Sequence, residues 1–376
     1  MNSRGSAPGR GLRHPEPPKT GYDSAAFAAA VQPEAAEWDV RGGLPPDVVK
    51  AVAHEGFLDT GRSPAELGRL CADFGGVCSS LRALITVQDM VAAAVRRWGT
   101  AAQREHWLPA LARGDVLAGF AATEPGAGSD LSAVTTSAEH EGGQVRLRGR
   151  KLWVTFGQLA DVFLVLATAA GRPVTVLVEA DRPGTAVEPV RGQLGMRAAQ
   201  LAHVRFDGVL VPAENLLAPP GFGLSHVVAT ALDHGRFTVA WGCVGMAEAC
   251  LRTAADHAAG RVQGGVRLAG HQTVRALLGR SLADTSAARE LCARAAALRA
   301  TGDPEAVAGT VLAKYVAARA AAAVADRAGQ VLGAAGCAED SLVGRFFRDA
   351  KVMRIIEGAD EVAEQRLGEY ALRWRP

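Results

Sequence analysis

The stretch Phe120-Ala-Ala-Thr-Glu-Pro-Gly-Ala-Gly-Ser-Asp130 decides the reading of this 376-residue chain. A helical pattern precedes it and a β texture follows. Pro125, Gly126 and Gly128 permit a tight backbone path with exposed N–H groups, suited to close approach by a flat or anionic ligand. Thr123 and Ser129 add hydroxyls that can donate or accept beside such a ligand. The segment leads into Lys151-Leu-Trp-Val-Thr155.

Outward from this stretch the chain has three textures. Toward the N-terminus, Pro46-Asp-Val-Val-Lys-Ala-Val-Ala-His-Glu-Gly56 opens with Pro and closes with Gly, as helices do. Thr100 is placed to cap a helix that starts within Gly99–Glu105. After residue 120, Gln144–Arg148 and His203–Asp207 alternate, while Val162–Ala167 and Val174–Glu179 are short β-branched runs. From Gly223 long helical patterns return, broken at Gly260–Gly270 and Thr301–Asp303. The expected class is α+β: a helical N-terminal domain over 23–117, a middle antiparallel β domain (a small barrel or sandwich) over 118–222, and a helical domain over 223–376. Residues 1–22, rich in Pro, Gly and Arg without an apolar run, read as a flexible tail and not a secretory signal.

Composition narrows the function classes. Hydrophobic residues make up 48% of the chain, enough for a large core, and a net charge of +2 gives no electrostatic case for nucleic acid. The longest apolar runs, such as Val162–Ala170, fall short of the ~20 residues a membrane span needs. Cys71, Cys78, Cys243, Cys250, Cys292 and Cys337 show no C-x-x-C spacing and no clustered His, so no metal site is expected. They read as buried free thiols in a reducing, cytoplasmic compartment. No G-x-S-x-G or Ser–His–acid motif supports a hydrolase.

Taken together, Phe120–Asp130, Trp153/Thr155, Leu194–Arg197, Phe206–Pro212, Asp233-His-Gly-Arg236, Arg261-x-Gln263, His271-Gln272, Gln330–Gly333 and Arg348–Gly358 resemble, in order, the motifs of the acyl-CoA dehydrogenase family. The resemblance covers nearly the whole chain after about residue 45. It implies a helical N-terminal domain, a β domain and a C-terminal four-helix bundle. It also implies FAD and oxidation of an acyl thioester: a carboxylate removes the α-proton and the flavin accepts hydride from the β-carbon. The base corresponds to Glu357, between Ile355–Ile356 and Gly358; in isolation it reads as a surface Glu at a helix end, and it is the match to the family's Glu-Gly position that reverses this. Some relatives carry their base just before the Arg matched by Arg236, where this chain has Gly235.

By the same resemblance Thr123 and Thr155 hydrogen-bond the flavin ring and Trp153 packs on it, the other reading of Trp153 being β-domain core. Phe120, Ala122, Gly128, Ser129, Ala359 and Glu361 belong to the same cofactor site. Arg261, Gln263, His271 and Gln272, with backbone from Gln330, Gly333 and Ala334, correspond to the pyrophosphate and adenine end, held largely for a neighbouring subunit of a homodimer or homotetramer. Arg261 alone reads as easily as a solvated helix charge. Ser129, Asp233 and Arg236 would line the acyl-pantetheine channel. The chain departs from the family at Gly264, Ile356 and Ala359, and is short around Phe57–Pro64.

Ser80-Leu-Arg-Ala-Leu-Ile-Thr-Val-Gln88 is similar to the stretch of glutaryl-CoA dehydrogenases whose Arg holds a distal carboxylate. Arg82 therefore either binds an acidic or polar acyl group, or snorkels or pairs with a protein acid. Two substrates follow from the resemblance. One is an acyl group on an acyl carrier protein, as in polyketide pathways making hydroxymalonyl or methoxymalonyl extender units. The other is a short-chain or glutaryl-type acyl-CoA. The electron acceptor would be an electron-transfer flavoprotein or oxygen. A non-catalytic flavoprotein or partner subunit that kept the fold is the reading from another class.

Overall fold

The computed structural model describes residues 23–373; the 1–22 tail lies outside them. Six helices come first: α1 (Ser24–Val31), α2 (Ala35–Arg41), α3 (Pro46–His54), α4 (Pro64–Gly75), α5 (Ser79–Trp98) and α6 (Ala101–Arg113). Thr100 caps α6 in a capping box with Gln103, and Ser63 caps α4 with Glu66 in the same way. Eight strands follow: β1 (Ala118–Ala121), β2 (Ser137–Glu141), β3 (Gln144–Val154), β4 (Val162–Ala169), β5 (Arg172–Glu179), β6 (Thr185–Pro189), β7 (Ala202–Pro212) and β8 (Leu216–Leu217). A π turn at Gly223–Val228 opens the long α7 (Ala229–Gly260). The short hairpin β9 (Val262–Gln263) and β10 (Val266–Arg267) separates it from α8 (Gln272–Thr301), α9 (Ala306–Leu332), α10 (Leu342–Met353) and α11 (Asp360–Ala371).

The strands form one sheet in the order β6-β7-β3-β2-β4-β5-β8, with β1 beside β4. It is not wholly antiparallel as expected: β1 runs parallel to β4 from Ala118↔Val162 to Ala121↔Val165, and β2 touches β4 in parallel at Ser137↔Thr168. Alternation along β3 and β7 buries Val145, Leu147, Val204, Phe206, Val209 and Val211 on one face.

Helix α5 is buried along its whole length from Ser79 to Val95, so its polar residues need internal partners. Gln88 donates from Nε2 to Leu111 O (2.7 Å) and Val116 O (2.8 Å) and accepts from Ala118 N, which ties α5 to the start of β1. Helices α4 and α7 cross on small residues: a Cβ at Gly245 would lie 1.9 Å from Ala72 O. The loop after β6 is held to α10, where Met196 N donates to Asp349 Oδ1 at 2.6 Å.

Two expectations need correction. Five cysteines are buried, but Cys337 is exposed, because it ends a short turn that leaves α9 at the surface. The thiols of Cys71 and Cys250 are pushed up to about 12 by burial, which makes them inert. Among the described residues one segment, Ala306–Cys337, is long and apolar enough to cross a membrane by length and composition. It is the core helix α9 with the turn that follows it, and its Thr310, Lys314, Ala317, Ala321 and Val324 are buried in the helical bundle.

Candidate active site

Between α5, α7, the 120–130 and 151–155 segments and the α10–α11 turn lies a cavity of about 1740 Å³. That is larger than a usual small-molecule pocket of ~300–1,000 Å³ and has room for a ring cofactor beside a second ligand. Phe120, Ala122, Thr123, Gly128, Ser129, Trp153 and Thr155 line one part; Arg82, Asp233, Arg236, Glu357 and Ala359 line another.

The two motif segments are joined from beneath. Leu152 N donates to Thr123 O (2.8 Å), and Lys151 Nζ donates to Ala122 O (3.1 Å) and Glu124 Oε1 (2.6 Å). Glu124 also accepts from Thr135 N, Thr135 Oγ1 and Thr136 N. Both side chains are buried. Burial by itself would raise the Glu124 carboxyl, but the donors from Lys151, Thr136 and Thr135 outweigh it and hold it at about 2. Burial brings the Lys151 ammonium down to about 8, with Glu124 resisting. The register shift of β3 on β7 between Lys151 and Val154 coincides with a left-handed backbone at Trp153 (φ 58°). That bulge turns Trp153 out of the sheet, 53% exposed, while Val154 stays in the core. Trp153 N donates to His203 Nδ1 (3.2 Å), fixing the turn.

Glu357 also has a left-handed backbone (φ 57°), followed by Gly358 at φ 103°. Two buried cations hold this bend: Arg236 Nε donates to Glu357 O (2.8 Å) and Lys314 Nζ to Gly358 O (2.7 Å). The residue as a whole is half-buried, yet its carboxyl Oε2 is fully enclosed and makes no hydrogen bond among the described residues. The carboxyl rests on bare backbone: a Cβ on Gly235 would lie 2.5 Å from Oε2. Burial raises this carboxyl to about 7, against the pull of Arg236, Lys314 and Arg82. It is placed to move a proton near neutral pH.

Arg82 is 1% exposed in the same cavity wall and forms no ion pair among the described residues. Its Nη1 donates to Thr86 Oγ1 (2.9 Å) and its Nη2 meets Met353 Sδ (3.2 Å). This corrects the readings in which Arg82 snorkels or pairs with a protein acid.

Residues 24–115, 119–209 and 223–372 match the N-terminal, middle and C-terminal domains described for acyl-CoA dehydrogenases. Glutaryl-CoA dehydrogenase of Desulfococcus multivorans is 30% identical over 354 residues, 89% of this chain and 90% of its own length. The chain belongs to the acyl-CoA dehydrogenase family. As such it is an FAD-dependent oxidoreductase acting on CH–CH donors. The short-chain acyl-CoA dehydrogenase of Megasphaera elsdenii is 34% identical over 304 residues (79% of this chain, 78% of its own). Among solved structures, FkbI, described as for biosynthesis of the methoxymalonyl extender unit of the FK520 polyketide, is 38% identical with TM-score 0.88, covering 94% of this chain and all of its own.

The cavity suits FAD: it offers the Thr123 and Thr155 hydroxyls, the exposed Trp153 ring and the backbone of the Phe120–Ser129 turn in one wall. An acyl-CoA dehydrogenase with Trp153 turned outward this way does not use it as core. Ser129 and Glu361 also border a second pocket of about 660 Å³, with Arg366. Asp233 lines the main cavity but is ion-paired with Arg299. The structure does not bring Arg261, Gln263, His271, Gln272, Gln330, Gly333 or Ala334 to this cavity; all are exposed, on the β9–β10 hairpin and the ends of α8 and α9. Sequence reasoning missed Lys151, Glu124 and Lys314; Glu124 and Lys151 stand inside the two motif segments, but only the fold pairs them. Glu124→Gln leaves a buried ammonium without its counter-charge, and should cost the holoenzyme about 3 kcal/mol in urea unfolding and loosen FAD retention. A loss below about 1 kcal/mol would remove the pair's role as the rivet between the segments.

Proposed function

We propose that this acyl-CoA dehydrogenase oxidises a short acyl thioester with an acidic or polar end, carried on an acyl carrier protein in the making of a hydroxymalonyl- or methoxymalonyl-type extender unit. The observation that carries the reading is Arg82: a buried guanidinium in the cavity of Glu357 that pairs with no carboxylate among the described residues. A substrate carboxylate supplies the missing charge. The likeness to FkbI supports the extender-unit part of this reading. The likeness to glutaryl-CoA dehydrogenase supports the second reading, a glutaryl-type acyl-CoA, which uses the same Arg82.

The chain's residues divide the work. Glu357 Oε2, enclosed above Gly235, takes the α-proton. Arg236 and Lys314 fix the backbone that carries it. The Glu357 N–H, which donates to no backbone carbonyl among the described residues, is available to the thioester oxygen as negative charge develops there. FAD, when bound, supplies the hydride acceptor. In this reading the enzyme works in the cytoplasm, where its five buried thiols stay reduced. It passes electrons to an electron-transfer flavoprotein or oxygen, and acts as a homodimer or homotetramer in which Arg261, Gln263, His271 and Gln272 serve a neighbour's FAD.

Anaerobic flavin reduction against matched carrier-protein and CoA thioesters tests the proposal. A preference for the carrier-bound acidic acyl group is expected, and full activity on CoA esters alone would sink it. Arg82→Ala should lower kcat/KM for an acidic acyl thioester roughly 30-fold while sparing a neutral one. An equal effect on both would remove Arg82 from substrate recognition.

A further inference from the structure

Asp89 and His234 stand in the cavity region unused by the chemistry above. Asp89, buried on α5, places its Oδ2 2.7 Å from His234 Nδ1 on α7. A carboxylate only accepts, so Nδ1 carries the proton and donates, and the Nδ1–H tautomer has its lone pair on Nε2. No described residue hydrogen-bonds Nε2, and the 27% of the His234 side chain left uncovered belongs to a residue that lines the cavity. The placement is informative. The next residue on α7 is Gly235, on which the Glu357 carboxyl rests, and the next on α5 is Met90, whose sulfur would lie 2.9 Å from a Cβ there. On each helix the couple is thus the sequence neighbour of a residue packed at the Glu357 carboxyl.

We infer that His234 is a specificity-determining hydrogen-bond acceptor for a hydroxyl carried by the acyl group near its thioester, with Asp89 as its positioning residue. The inference rests on the acyl-thioester reading of the cavity. An unsubstituted acyl chain would leave Nε2 facing methylenes without a donor, which costs free energy, whereas a hydroxyl satisfies it. The pantetheine arm also bears a hydroxyl, but that hydroxyl lies many bonds from the reacting carbons, and His234 adjoins Gly235, on which the base rests.

The test uses wild-type holoenzyme, His234→Phe and His234→Gln, titrated anaerobically with 3-hydroxybutyryl-CoA and butyryl-CoA. Affinity is read from the perturbed flavin absorption and rate from its reduction. Wild type should favour the hydroxylated thioester roughly three- to tenfold, Phe should bring the ratio to about one, and Gln, which keeps an acceptor, should restore part of it. A ratio near one in wild type, or a ratio unchanged in Phe, overturns the assignment, since a packing role weakens both ligands alike. If the Phe variant loses affinity equally for both CoA esters but not for N-acetylcysteamine thioesters, Nε2 faces the pantetheine hydroxyl and the acyl-group assignment falls. If no thioester perturbs or reduces the wild-type flavin, the acyl-thioester reading itself fails and takes this inference with it.

Discussion

Glu357→Gln is expected to fold, retain FAD and lose roughly four orders of magnitude in the rate of flavin reduction by a thioester. The amide keeps the shape of the side chain in a space bounded by Gly235 and Met90, so the cavity need not rearrange. What disappears is the basic lone pair, and the described residues offer no second carboxylate at that point. The same carboxyl sets the pH dependence. Raised to about 7 by burial, it is protonated and inactive below that value, and wild-type reduction rates should climb as pH passes through it. Stability runs the opposite way. A carboxyl whose folded value stands above its ordinary 4.5 favours the native state fully below 4.5 and loses that contribution as pH rises through about 7. Glu357→Gln removes the penalty, so at pH 8 the variant should exceed wild type by about 3 kcal/mol, with no difference from this source below pH 4. Stopped-flow reduction and denaturant unfolding across pH check both. A variant that still reduces flavin at a tenth of the wild-type rate would take the base role from Glu357.

Gly235→Ala should carry the second largest effect, roughly a hundredfold loss in kcat with FAD still bound. The new methyl carbon would sit 2.5 Å from Oε2 and 2.7 Å from Cδ of Glu357, so the carboxyl must move. Displacement of a reacting group by about 1 Å is enough for a loss of that size. The bend that carries Glu357 cannot yield easily, because Arg236 and Lys314 grip its two carbonyls. An activity within a factor of three of wild type would show that the carboxyl has room the structure does not give it.

Much of this was legible in the sequence. The three textures marked the helical, β and helical regions, and Thr100 announced its capping box. Motif order was enough to single out Glu357 and the residues of the Phe120–Thr155 wall, which the fold gathers at one cavity. The features that eluded the sequence depend on contacts between distant segments. Nothing in Lys-Leu-Trp-Val-Thr announces a left-handed Trp153, since bulges are set by the register against a partner strand. Arg82 stayed open because the absence of a partner acid is a property of packing. Asp89–His234 and Glu124–Lys151 are pairs only once α5 meets α7 and the turn after β1 meets β3. Arg261 and its companions lie exposed and away from the cavity, which motif order alone could not show.

The contact between Gly235 and Glu357 has a consequence for how such chains drift over time. The carboxyl proposed as the base occupies a volume that two far-separated positions can both reach, and the backbone around it is held by other residues. A lineage could pass the acid from one position to the other by a paired exchange with glycine and leave the fold undisturbed. Inheritance here belongs to the volume, and column-by-column comparison of either position alone would mistake a relocated base for a lost one.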